Sequence, residues 1–459
     1  MPVVETEHRL RRWGAWALLM VGLLGLTAPE SHAPVEGAAP LNPGDVAWML
    51  TSACLVMLMT PGLSFFYGGM VSRKNVLSTM LQSFIAMGVI SLLWVVVGFS
   101  LAFGDSLGGV IGDPRTFYML RDVGGQTHPT LAPTIPLVLF ALFQLKFAII
   151  TPALITGSFA ERVRFSAYVL FMVLFALVIY APLAHWTWHP DGFLRKWGVL
   201  DFAGGAVVHM SAGFAALAGA LILGPRKSHR GDAPTSPGEA RPPQGGPAHI
   251  PYVLLGTGML WFGWFGFNAG SALAANEVAA SAFLTTNTAS AAAMLAWLVV
   301  DGMRGQKPSA LGACIGAVVG LVAITPAAGY VTVGHSIVIG LVASVISNVA
   351  VAFKNKVGVD DTLDVFPCHG LGGTVGMLLT AVFAKDVGAV HGHYETLGVH
   401  LLAMVIVAGY TFGGSYLLYK LVGFLIPLRV STEQEALGLD LSQHGESFDP
   451  EPAEVLRAG

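Results

Sequence analysis

From Val46 onward the chain alternates apolar runs of roughly 20 residues with short polar breaks, the length a helix needs to cross hydrocarbon. The runs predict spans over Val46–Met70, Val76–Ala102, Ile135–Gly157, Phe165–Leu183, Phe202–Leu223, Pro251–Ala272, Val278–Val300, Ser309–Ile324, His335–Phe353, Val365–Ala384 and Leu397–Leu425. The expected fold is an all-α membrane protein with eleven transmembrane helices. Ahead of them, Arg9, Arg11 and Arg12 precede an apolar stretch from Trp13 to Leu26 and a tail of small residues, which reads as a signal peptide over 1–37. Cleavage candidates lie after Ala28, around Ser31 to Ala33 and near Gly37. The alternative is an uncleaved first helix.

Charges in the breaks orient the spans. One alternate set holds Arg73/Lys74, Arg162/Arg164, Arg226/Lys227/Arg230/Arg241, Arg304/Lys307, Lys354/Lys356 and Arg429. The other holds only Arg115, Arg121, Arg195, Lys196 and Lys385. The richer set is expected in the cytoplasm, with the mature N-terminus outside and the C-terminus inside. The stretch from Pro225 to Gly246, rich in Pro, Gly and charge, reads as a flexible cytoplasmic linker. It divides a transmembrane domain over 46–427 into halves of about 46–224 and 251–384, with helix 11 over about 397–427. Five spans on each side of such a linker run in opposite directions. The expected architecture is therefore a 5+5 inverted repeat plus one extra C-terminal helix, with the substrate path between the halves. Residues 428–459 form a polar tail with Glu433, Glu435, Asp440, Glu446, Asp449 and Glu451, expected to be disordered.

Composition supports the membrane assignment. Charged residues are 11% of the 459 and apolar ones 54%, whereas a soluble domain carries about a quarter charged. The 56 glycines suit close helix packing in lipid. Cys54, Cys314 and Cys368 sit in apolar stretches and read as small buried hydrophobes rather than a disulfide framework. Cys368 beside His369 is a candidate metal-ligand pair, but no further ligand spacing accompanies it, and no metal or cofactor is expected.

Ionisable groups inside hydrocarbon are costly and usually face a bundle interior or a polar path. Two stretches carry them: LDFAGGAVVHMSAG, with Asp201 and His209, and LDVFPCHGLGG, with Asp364 and His369. They fall in the fifth span of each half, although eight positions separate the first pair and five the second. A lone histidine would be read as packed against a backbone carbonyl. A pair related by a pseudo-two-fold axis is expected to face itself across the path. Asp201 precedes its helix and fits a cap, with His209 roughly 12 Å deeper. Parity places Asp364 at the cytoplasmic start of its span, beside Asp360 and Asp361. Aromatics are dense in PGLSFFYGGM (Pro61–Met70) and WFGWFGFNAGS (Trp261–Ser271), and Trp186 and Trp188 are expected in an outer loop. Such rings are either membrane-belt anchors or a cation site at the outer mouth.

The motifs DFAGGAVVH, FAIITPALITGSFAER (Phe147–Arg162), WFGFNAGSA (Trp264–Ala272), GQKPSALGA (Gly305–Ala313), DVFPCHGLGGTVG (Asp364–Gly376) and EQEALGLDLSQHGE (Glu433–Glu446) resemble the Amt/Mep/Rh ammonium transporters, most of all the bacterial Amt branch. The likeness runs in order from about Val46 to Glu446. It implies a multi-pass protein of the inner (cytoplasmic) membrane, a homotrimer with a central narrow pore in each subunit, and ammonium or ammonia as substrate, with methylammonium as analogue. By the same resemblance Phe147 and Phe267 are gate rings, and Trp188, Ser271 and Asp201 form or shape the outer recruitment site. His209 and His369 are the twin pore histidines, and the tail joins in control by a P-II-type nitrogen regulatory protein. No enzymatic activity and no nucleic acid partner are implied. Three features depart from the pattern: Lys146 before Phe147, Pro367 and Cys368 before His369, and the long Pro-rich linker. Adjacent residues on a helix point about 100° apart, so Lys146 is expected to face away from the pore.

The expected mechanism follows from charge. Moving a bare ion into low dielectric costs tens of kcal/mol on a Born estimate. A narrow apolar pore should pass ammonia after deprotonation at the mouth and reject potassium. The histidines can hold ammonia and relay the proton, because imidazole titrates near neutrality. The rival expectations are a sensor with little flux, an electroneutral ammonia or carbon dioxide channel, a metal-dependent membrane enzyme, and an ion-coupled amine transporter.

Overall fold

A computed structural model describes residues 3–28, 37–227 and 246–448. The cleavage candidates Ser31 to Ala33, linker residues Arg230 and Arg241, and tail residues Asp449 and Glu451 lie outside the described residues. A first helix, α1 (Val3–Thr27), precedes the transmembrane domain. The domain comprises α2 (Pro43–Met70), α3 (Arg73–Phe103), α4 (Leu137–Ser158), α5 (Phe165–Lys196), α6 (Gly205–Leu223), α7 (Ile250–Ala272), α8 (Glu277–Met303), α9 (Ala310–Ile324), α10 (Val333–Val357), α11 (Phe366–Phe383) and α12 (Tyr394–Leu425). Ten of these are long and apolar enough to cross a membrane, and α9 is a shorter apolar helix. Together they make up the eleven-helix arrangement anticipated above.

Several boundaries move for local reasons. α2 begins at Pro43 because Asn42 caps it, accepting from Gly44 and Asp45 N–H at 2.9 and 3.3 Å. Proline at the first helical position costs no hydrogen bond there. α5 continues helically through Trp188, so Trp186 and Trp188 are on a helix and not in a loop. The aromatic side chains sustain this extension by packing: Trp186 is 6% exposed and donates to the Val110 carbonyl. Cys54 is exposed on α2, against the expectation of burial, whereas Cys314 and Cys368 are buried.

The two halves meet along their first and fifth spans. α2 and α7 approach through glycine: a Cβ on Gly256 would lie 2.3 Å from the Phe66 nitrogen. α6 and α11 approach as closely, and a Cβ on Gly213 would lie 2.1 Å from the Gly370 nitrogen. In lipid such contacts are governed by small residues, because no hydrophobic drive separates helix from solvent. Both fifth spans start with a π-helical turn, Gly205–Met210 and Phe366–Leu371, a local widening often found at functional sites.

The described part of the tail, 428–448, binds the end of the bundle opposite Trp188. Its helix α13 (Thr432–Leu437) opens with a capping box on Ser431 and Gln434. Asp440 accepts from Leu77 and Ser78 N–H at 3.1 and 2.7 Å, capping the helical run that begins α3. Arg429 pairs with Glu435, and Lys74 donates to the Ala436 carbonyl. These bonds replace the disordered tail expected from composition, as far as residue 448.

Candidate functional site

The histidines lie on the two π-turns and meet between the halves. His209 and His369 are 1% and 3% exposed, with their Nδ1 atoms 3.3 Å apart and ring centroids 5.4 Å apart. One of the two nitrogens must carry the shared proton, so the pair holds a donor and an acceptor at once. His209 Nε2 has no partner among the described residues. Both histidines line an apolar cavity together with Ile150, Leu154, Leu260, Trp264 and Phe267. The cavity admits about one water-sized molecule. Trp264 stacks on His209 at 5.4 Å, and its Nε1 donates to Thr325 Oγ1 at 2.9 Å, which fixes the ring.

Two phenylalanines close the cavity on the Trp188 side. Phe147 and Phe267 stack at 4.2 Å and 27°, and both are buried. Trp188 meets Phe147 edge-on at 5.8 Å, and its Nε1 donates to the Asp201 carbonyl at 3.1 Å. Phe143 meets the other side of Phe147 at 4.9 Å. Ser271 donates its hydroxyl to the Phe267 carbonyl at 2.8 Å, leaving the oxygen's lone pairs available as an acceptor beside the gate. Lys146 does not join this group. It shares the outward stripe of Leu142 and Val138, four and eight residues before it on α4.

The aspartates cap rather than touch the histidines. Asp201 Oδ1 accepts from Gly204 and Gly205 N–H at 2.8 and 2.6 Å, and Oδ2 from Ala206 and Val207 at 2.8 and 3.3 Å. All four orphan donors at the start of α6 are thus satisfied by one side chain. The pairing of Asp364 with His369 requires correction. Asp364 instead pairs with Lys354 at 2.6 Å, and Asp361 Oδ2 accepts from Phe366 N–H at 2.7 Å. Asp361 stands eight positions before His369, the spacing of Asp201 to His209, so the repeat is regular once the right carboxylate is chosen. The positions five before each histidine, Gly204 and Asp364, both have positive φ, 114° and 58°. The same turn is therefore built twice. Pro367 falls in the first turn of its helix, where a missing N–H is harmless, so the proline leaves His369 in register.

On the tail side Arg226 joins Glu161 at 2.7 Å and Asp360 at 2.9 Å. Burial alone would raise both acids, but Arg226 outweighs it and holds both below the usual carboxylate range. Among the described residues no cluster of three or more His, Cys, Asp or Glu side chains is placed to hold a metal ion.

Sequence reading named Asp361 only as a neighbour of Asp364 and gave Phe143 and Trp264 no role of their own. The repeated eight-residue spacing could have found the first. The other two are aromatics in apolar runs, with nothing in the sequence to separate them from core.

Comparison with known proteins bears on the same region. The profile of the Ammonium Transporter Family matches residues 47–448. The chain is 45% identical over 415 residues to an ammonium transporter of Aquifex aeolicus, covering 89% of this chain and 94% of that protein. The crystal structure of Candida albicans Mep2 superposes with a TM-score of 0.79 at 36% identity, covering 90% of this chain and 92% of that one. A Sensor Amt Protein superposes with a TM-score of 0.79 at 30% identity, covering 87% and 98%.

Proposed function

The chain belongs to the ammonium transporter family, and we propose that it moves ammonia through the twin-histidine cavity after stripping a proton from ammonium at the Trp188 mouth. One observation carries this reading: a buried pair of histidines lines a small apolar cavity, and a ring nitrogen of the pair has no partner among the described residues. Trp188 attracts ammonium by its ring face and Ser271 accepts a hydrogen bond from it. Asp201 holds the α6 cap and adds negative charge below that mouth. Neutral ammonia passes Phe147 and Phe267 once their rings part, and His209 Nε2 accepts one of its hydrogens. The proton travels separately over the His209–His369 pair, so net charge crosses. Potassium cannot shed its charge and is excluded by the same apolar walls.

We place the Trp188 mouth outside and the tail in the cytoplasm, because the tail-side breaks are richer in Lys and Arg. α1 is assigned as a signal peptide and the protein to the inner membrane. The active unit is a homotrimer acting as transporter rather than enzyme, and the ordered tail face is the docking surface for a P-II-type regulator.

The test is the current from purified protein in liposomes after an ammonium jump, for wild type and for the double variant His209→Ala, His369→Ala. A wild-type transient that the double variant loses supports the relay. Internal pH change without wild-type current would mean an electroneutral channel. Neither signal in well-folded protein would favour a sensor.

A further inference from the structure

At the start of the second π-turn, on the tail side of His369, stands a carboxylate that the path above does not use. Asp361 is fully buried. Its Oδ2 accepts from Phe366 N–H and Val365 N–H also faces the carboxylate, but Oδ1 has no hydrogen bond within ordinary geometry among the described residues. Its counterpart Asp201 spends both oxygens on four N–H groups. The same cap is therefore built twice, and only the second copy leaves an oxygen free. A buried ionised oxygen without a donor is unfavourable and tends to take up a proton or a ligand.

The surroundings support proton exchange. Lys354 donates to the Asp361 backbone carbonyl at 2.6 Å and sits 2.6 Å from Asp364 Oδ1. The Asp364 side chain is 19% exposed, so it links the buried acid to the tail-side surface. Tyr67 on α2, Cys368 on α11 and Arg162 after α4 also lie within range of the Asp361 charge. Burial pushes Asp361 up to about 6; Lys354 opposes the shift and Asp364 adds to it. Burial and Asp364 thus favour the protonated form of this carboxyl relative to an ordinary aspartate.

We propose that Asp361 is a proton-carrying residue on the tail side of the pore, protonating ammonia as it leaves. The Oδ1–H bond breaks, an N–H bond forms on ammonia, and ammonium departs past Asp364. The Asp361 carboxylate regains its proton from the histidine relay. This rests on the transport reading above.

The experiment is the ammonium-jump current across pH for wild type, Asp361→Asn, Asp364→Asn and the double histidine variant. Asp361→Asn keeps an oxygen for Phe366 N–H and removes the exchangeable proton. Its current should fall by about a hundredfold or more, the low side of a general acid–base contribution. Asp364→Asn should move the pH dependence of the current downward, because a neighbouring negative charge is lost. Wild-type current and pH profile in Asp361→Asn, with current lost in the histidine variant, would overturn this proposal and leave the relay standing. Infrared spectra of the wild type give a second arm, independent of current and of how the variant folds. A protonated carboxyl band that titrates near pH 6 and shifts in Asp364→Asn is expected. Absence of that band would overturn the proposal.

Discussion

Gly213→Ala should disable transport without touching any ionisable group. The new Cβ would lie 2.1 Å from the Gly370 nitrogen and 2.2 Å from its Cα, with the His369 carbonyl carbon at 3.0 Å. All three are backbone atoms and cannot rotate away. Reaching an ordinary 3.4 Å contact requires a retreat of about 1.3 Å, from 3.4 minus 2.1. Gly213 lies one helical turn past His209, and Gly370 follows His369, so the retreat acts on the two histidines themselves. Added along their axis, it would stretch the 3.3 Å Nδ1···Nδ1 contact to about 4.6 Å, beyond hydrogen-bond reach. Overpacking of this kind costs about 1–3 kcal/mol, which a protein of this size can survive. The assay is ammonium-driven current and internal pH in liposomes, beside a thermal melt in detergent. Gly258→Ala is the control, since a Cβ there meets nothing within 4 Å; it should be neutral or stabilise by up to about 1 kcal/mol. A folded Gly213→Ala protein with wild-type flux would refute the reasoning, because the pore would then tolerate separation of its histidines.

Asp201→Ala should lower stability by about 2 kcal/mol or more, since four buried N–H groups lose their acceptor, while Asp201→Asn keeps an acceptor and loses less; thermal melts decide. Lys146→Met should leave flux within about twofold of wild type, because the half-buried side chain lies on the stripe of Leu142 and Val138 rather than among the gate rings; a large change would place the cation near the pore. Acid unfolding should report the Arg226 junction. Glu161 and Asp360 have folded values below their unfolded 4.5 and 3.8, so their stabilisation is full above those values and is lost as pH falls through the lower folded ones. Arg226→Met should remove that acid limb and destabilise at neutral pH, read from unfolding midpoints against pH.

Much of the architecture was legible in the chain because a bilayer imposes one simple rule. Each span must be about 20 apolar residues long, so Val46 to Leu425 could be divided before any contact was known. The histidines were conspicuous for the same reason, as polar groups in hydrocarbon. Among three nearby carboxylates only the eight-residue spacing to His369 hinted that Asp361 caps the second π-turn, and it said nothing of the other two. Asp360, Asp361 and Asp364 have the same chemistry, and only the fold sends them to Arg226, Phe366 N–H and Lys354 respectively. Nor could the sequence place Trp188 on a helix or the tail beneath α3, since both depend on contacts distant in sequence. Periodicity and hydropathy are local and determined the spans. The facing of His209 and His369, and the single free oxygen of Asp361, were decided only when two antiparallel halves packed glycine against backbone.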